Sequence, residues 1–131
     1  MQDDEKRALS SVRLEHADEC LAAAKSLLES GAYKSAANRA YYTVFHSMRA
    51  VLAMDEFDTK RHSGIISEFR KRYIRTGLLD GSLSDIITAT FDARTGSDYN
   101  DFYVISKSKV EKQVRDAETF LCAIKDYLQT L

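Results

Sequence analysis

Apolar residues recur three and four positions apart in five separate segments of this chain, and none of its 131 residues is a proline. Together these features constrain the fold more than any single motif. A three-four rhythm lines one face of an α-helix, whereas a half-buried strand needs alternation. Proline breaks helix interiors because it lacks the N–H and clashes with the preceding turn. Only five glycines punctuate the chain. Long helices joined by short connections are therefore expected, and no segment shows a strand pattern.

The first helix is predicted over residues 4–30. Leu14, Ala17, Leu21, Ala24 and Leu28 form its stripe, widened by Leu9, Val12, Cys20 and Leu27. Gly31 is the expected stop, because glycine tolerates the left-handed cap conformation. A second helix, about 33–53, carries Ala37, Tyr41, Val44, Met48 and Val51. So short a connection makes the two an antiparallel hairpin. "MDEFDT", 54–59, reads as a loop, with Thr59 as N-cap of a third helix over about 60–75. His62, Ile65, Ile66, Phe69 and Tyr73 form that stripe, and Gly77 closes it. Ser82 or Ser84 would cap a fourth helix over about 83–98. The last begins near Ser106 or Ser108, where Ser108 and Glu111 have capping-box spacing. It continues through Val110, Val114, Ala117, Leu121, Ile124 and Leu128. With no internal repeat, low-complexity tract or linker, residues 1–131 read as a single domain. The expected architecture is all-α, a five-helix up-and-down bundle.

The chain is 44% hydrophobic and 30% charged, as in ordinary globular domains. Its net charge of -1 excludes a whole-molecule electrostatic grip on nucleic acid, so any such surface must be local. No apolar run approaches the ~20 residues that span a bilayer, and no membrane association is expected. "MQDDEKRALS" at the start lacks the apolar core of a signal peptide. Cytoplasm is the expected compartment, where Cys20 and Cys122 would stay reduced and partly buried. His16 and Cys20 stand one turn apart, but no fourth ligand accompanies them and Cys122, so no metal site is predicted. With no Gly-rich phosphate loop, nucleophile elbow or Cys-x-x-Cys motif, no cofactor is expected.

The polar residues that interrupt the apolar stripes carry the functional signal. In "FDARTGSDYND", 91–101, Arg94 follows Ile87 by seven positions and so projects from nearly the same face. Asp98 lies four residues on, within reach of Arg94, with Tyr99 beside it. Two arrangements fit: a structural ion pair at a helix end or dimer seam, or an anion clamp in which Arg94 grips phosphate by its fork. Arg39, Tyr42 and His46 share one side of the second helix. Either they join that ligand site, or Tyr42 packs and Arg39 bonds a carboxylate such as Asp98. His62 sits on the third helix's apolar stripe, as a core residue or a proton-transfer group. The third helix also carries the chain's one basic patch, in which Lys60, Arg61, Arg70, Lys71, Arg72 and Arg75 face a single acid, Glu68. Arg61, Arg72 and Arg75 share a stripe with Glu68 that suits a polyanion or an acidic partner, or simply a solvated face.

Three quoted segments together resemble the HEPN family of small helical domains: "AANRAYYTVFHSMRAVL" (36–52), "KRHSGIISEFRKRYIRTGLL" (60–79) and "ARTGSDYNDF" (93–102), the last followed by "VEKQVRDAETFLCAI". Order and spacing match the stand-alone, toxin–antitoxin-associated branch over most of residues 5–128. The resemblance implies a helical bundle that dimerises, often encoded beside a minimal nucleotidyltransferase partner, and binding of nucleotide or RNA. It marks Arg39 and Tyr42 as motif residues, and His62 matches a histidine often seen in this branch. Many active members are metal-independent RNases with an Arg, a polar residue and, after four to six intervening residues, a His. Arg94 and Thr95 match the start. Tyr99, Asn100 and Asp101 occupy the histidine's positions, and none is histidine. A phenol, ionising near ~10, is a poor general base at neutral pH. The sequence therefore implies a dimeric binding module, with a divergent RNase using Arg94 and His62, or a purely structural helical adaptor, as alternatives.

Overall fold

A computed structural model describes residues 2–131 as five helices, with no strand among the described residues: α1 (Asp3–Glu29), α2 (Tyr33–Met54), α3 (His62–Phe69), α4 (Ser82–Tyr99) and α5 (Lys107–Gln129). The last turn of α3 widens into a π-helical segment, Arg70–Ile74. Among the described residues no helix is long and apolar enough to cross a membrane.

α2 is the centre. It packs against each of the other four helices. Alanine makes this close approach possible: Ala36, Ala37, Ala40, Ala50 and Ala53 are all buried. Its buried hydroxyls need no outside partner. Thr43 Oγ1 donates to the Arg39 carbonyl at 2.9 Å and Ser47 Oγ to the Thr43 carbonyl, so neither group is buried unsatisfied. Tyr41, Met48, Leu52, Phe69, Phe120 and Ile124 fill the core around it.

The first hairpin forms as expected. Gly31 has φ +84°, and the Ala32 and Gly31 N–H groups donate back to the carbonyls of Leu27 and Leu28. That is a Schellman closure, which glycine adopts without Cβ strain. Arg13 then meets Arg49, and His16 meets His46, as antiparallel pairing demands. α4 is likewise antiparallel to α2, with Arg94 opposite Tyr42 and Asp98 opposite Asn38.

One connection departs from simple alternation. Residues 55–61 double back along α2: Asp58 reaches Arg49, and His62 reaches Tyr41 and Phe45. α3 then runs in the same sense as α2, until Tyr73 bonds Asp55 just past the end of α2. This loop is what carries His62 to the middle of the bundle.

Two expected caps are displaced, and the third falls on one of the two serines named for it. Thr59 does not cap α3; Arg61 holds the cap position, and Thr59 Oγ1 accepts the Arg61 N–H at 3.3 Å. At α4, Asp80 Oδ1 accepts the Ser82 N–H at 2.8 Å, and neither Ser82 nor Ser84 is the cap. At α5 the cap is Ser106, whose Oγ accepts from the Lys109 N–H at 3.2 Å, so Ser108 and Glu111 form no capping box. Cys20 is buried, whereas Cys122 is exposed on α5 and not partly buried; both are free thiols.

Candidate functional site

The α2–α4 crossing brings four predicted residues together. Arg94 Nη2 donates to Tyr42 Oη at 3.1 Å and lies 3.4 Å from Tyr99 Oη. Its guanidinium carbon sits 5.5 Å from the ring centres of Tyr41 and Tyr42 and 5.3 Å from that of Tyr99. Three aromatic faces around one cation add cation–π attraction to the hydrogen bonds. Arg94 Nε lies 3.0 Å from Asp98 Oδ2, as the four-residue spacing promised, but its N–H is not directed at that oxygen. Charge attraction operates there without an aligned hydrogen bond. Burial alone would disfavour the charge on Arg94; Tyr42, Tyr99 and Asp98 outweigh it and raise its pKa above the ordinary value.

Arg39 does not bond Asp98. Its guanidinium donates to Asn38 Oδ1 at 2.6 and 2.9 Å and lies over the Tyr42 ring. Asn38 is the residue that reaches Asp98, donating from Nδ2 to Oδ2 at 2.8 Å. Nothing in the sequence distinguished Asn38 from any surface amide.

His62 enters from the doubled-back loop. It stacks on Phe45 at 4.1 Å, and its Nδ1 is 2.9 Å from Tyr41 Oη. Which group donates follows from satisfaction. Tyr41 is fully buried and has no other partner for its hydroxyl. If Nδ1–H donated, the phenolic hydrogen would be buried and unpaired, a costly arrangement. Tyr41 therefore donates, Nδ1 accepts, and the neutral ring carries its proton on Nε2. Burial, then the charges of Arg94 and Arg49, hold the His62 pKa below the ordinary histidine value. Burial raises that of Tyr41 well above the usual phenol range, against the pull of Arg94.

His46 lies one turn beyond Tyr42 on the same side of α2. Its ring meets His16 edge-on at 5.6 Å, and its Nδ1 has no hydrogen-bond partner. Burial, with Arg49, His16, Arg39 and Arg13 adding repulsion, lowers its pKa to about 4. Cys20, rather than completing a metal pair with His16, faces Arg39, and burial raises its thiol pKa.

The arginines assigned to a basic face have different settings. Arg61 is exposed at the start of α3. Arg72 is engaged by Glu68 at 2.9 Å and Asp55 at 3.7 Å and lies over Phe57. Arg75 lines a separate groove with Arg70, Ile87 and Phe91. Two further arginines, Arg39 and Arg49, lie along α2 outside that face. Arg13, which no sequence feature singled out, is buried. It donates to the Arg49 carbonyl at 3.0 Å and to Asp58 Oδ2 at 2.9 Å.

Comparison with known proteins places these features in a family. The model of the HEPN domain matches residues 10–127. A Thermotoga maritima chain named "UPF0332 protein" is 30% identical over 98% of this chain and 97% of its own length. Two Methanocaldococcus jannaschii chains, "Putative toxin MJ0142" and "Putative toxin MJ0605", are each 33% identical. They align over 94% and 90% of this chain and 83% and 87% of their own lengths.

Proposed function

The chain belongs to the HEPN domain family, and from that premise we propose that it is a cytoplasmic, toxin-like module that grips RNA or nucleotide phosphate at Arg94. The observation that carries this reading is the setting of Arg94: a half-buried guanidinium ringed by Tyr41, Tyr42 and Tyr99 and flanked by Asp98. Its planar fork suits a phosphate, and the phenols add hydroxyl donors and apolar bodies. We further propose that the protein works as a homodimer. Tyr99 beside Arg94, and Phe102 and Val104 just past α4, are large and exposed, and a second copy would cover them. A minimal nucleotidyltransferase as protein partner follows from the resemblance of the chain to the toxin–antitoxin branch.

The test is a titration with single-stranded RNA and with mononucleotide for wild type, Arg94→Lys and Asp98→Asn, beside thermal melts of each. Arg94→Lys keeps the charge and loses the fork. Lost binding with an unchanged melt supports the clamp. Lowered melts with no ligand for any form would make the cluster a structural ion pair. Light scattering on a dilution series tests the dimer, which should weigh twice the 14.8 kDa chain.

A second reading, metal-independent RNA cleavage, is favoured by one observation: Tyr41 touches both His62 and Arg94. His62 would then supply the proton-transfer group that the positions after Arg94 lack. RNA cleavage in EDTA, lost in both Arg94→Ala and His62→Ala, would select it.

A further inference from the structure

A polar stripe with an arginine at each end runs along α2 past Arg94 and ends in a cleft. Arg39, Tyr42, His46 and Arg49 follow at spacings of three, four and three, so they stack on one side of the helix over about 15 Å. At the far end Phe45, Arg49, Asp58, Thr59, Lys60 and His62 line an open cleft of ≈ 500 Å³. The one acid there is already committed. Asp58 Oδ2 accepts from Arg13 Nη2 at 2.9 Å and Arg49 Nη2 at 3.4 Å, and Oδ1 accepts the Thr59 N–H at 2.9 Å. Buried Arg13 balances that carboxylate from behind. Arg13, Arg49 and Lys60 thus outnumber Asp58 and leave the cleft with net positive charge, Lys60 exposed at its rim. His62 lines the cleft and also bonds Tyr41, whose ring lies beside Arg94.

We propose that this cleft is a second phosphate subsite, holding a neighbouring phosphodiester of the same single-stranded RNA whose first phosphate sits at Arg94. It rests on the Arg94 clamp described above and extends it. Arg49 and Lys60 supply the charge, and the Thr59 hydroxyl a short-range donor. Single-stranded rather than duplex RNA is specified by the aromatic residues along the path. Tyr99 is 72% exposed, and the stacked Phe45–His62 pair walls the cleft. Such faces engage unstacked bases, which a duplex does not present. The depressed pKa of His62, with Arg94 and Arg49 among its causes, agrees with positive potential on both sides of that ring.

The experiment compares mononucleotide, a single-stranded RNA long enough to span α2, and a duplex of the same sequence. Each is titrated across salt into wild type, Lys60→Ala, Arg49→Gln and Arg94→Lys, with a melt for each variant. Lys60 is exposed, so Lys60→Ala should fold normally and remains decisive even if Arg49→Gln does not. The expected result is severalfold weaker binding of the single strand by Lys60→Ala, a salt slope shallower by about one, and unchanged mononucleotide affinity. Duplex should bind more weakly than single strand to wild type. If Lys60→Ala binds the single strand like wild type while Arg94→Lys does not, the subsite is wrong and the clamp stands. Equal weakening for mononucleotide and strand would reduce the effect to general electrostatics and also overturn the subsite. No binding by wild type would overturn both.

Discussion

Acidification should destabilise this protein through one residue more than any other, His46. The ring is held neutral by burial and by surrounding cations: Arg13 and His16 from α1, Arg39 and Arg49 on α2. Its pKa in the folded protein is about 4, against an ordinary 6.5. Between those values the unfolded chain binds a proton that the folded chain refuses, so stability rises with pH. The contribution is complete above the unfolded value and is lost as pH falls toward 4. At 1.36 kcal/mol per pKa unit the gap is worth roughly 3 kcal/mol. His46 is only partly buried and solvent screens its neighbours, which reduces this to about 1–2 kcal/mol.

Urea unfolding at a series of pH values, followed by circular dichroism, measures the effect in wild type and in His46→Gln. Glutamine keeps a polar group of similar reach and cannot titrate. His62, also depressed, pulls the same way in both proteins and cancels in the comparison. Asp58 is held below its ordinary range by Arg13 and Arg49, although burial opposes them, and so loses its contribution only at still lower pH. Wild type should therefore lose about 1–2 kcal/mol more than His46→Gln between neutral pH and pH ~4. Equal losses in the two proteins would refute the assignment.

Gly31→Ala should cost about 1 kcal/mol in the same assay; the site has nothing within 4 Å of an added Cβ, so the cost comes from φ alone. In Gly96→Ala the new Cβ would lie 2.6 Å from Tyr103 Cε2. The ring must swing outward, and a loss of about 1 kcal/mol is expected in urea unfolding, together with faster amide exchange over residues 100–105. Tyr41→Phe should free His62 from a single tautomer. Nitrogen-15 spectra of the imidazole should show Nδ1 unprotonated in wild type and a mixture in the variant; the same mixture in both would overturn the assigned hydrogen-bond direction.

The helical stripes were legible because burial of one face repeats every turn, and α1, α2 and α5 repeat it many times. The caps were not. Ser106 and Ser108 offer the same hydroxyl two residues apart, and the backbone entering α5 selects Ser106, whereas at α4 neither Ser82 nor Ser84 serves. The π-helical turn at Arg70–Ile74 was equally hidden. It changes the rotation per residue, so a stripe drawn from Arg61 through Arg72 to Arg75 at α-helical spacing does not predict their surroundings. Arg94 and Asp98 could be paired from spacing because they are neighbours on one helix. Arg13 could not be, because its partner Asp58 is 45 residues away on a loop whose path no local pattern encodes. Asn38 had the same difficulty across α2 and α4.

With Nδ1 bonded to Tyr41, His62 presents a donor on the side left open, unlike the free base that the motif histidine would supply. Tyr42 and Tyr99 accept from the guanidinium, and each keeps its hydroxyl hydrogen to offer elsewhere. His62, with Nδ1 filled by Tyr41, presents an Nε2–H. Asp98 is the one strong acceptor in the cluster, and Asn38 and Arg94 already surround its Oδ2. Apart from Asp98 Oδ1 and the unpartnered His46 Nδ1, the groups left over are donors or cations. Such a set complements the oxygens of a phosphate. For His62 to take a proton from a 2′-hydroxyl through Nδ1, it must first give up its bond to Tyr41. Holding an anion at Arg94 would need only the geometry present, whereas proton transfer through His62 Nδ1 would need that rearrangement.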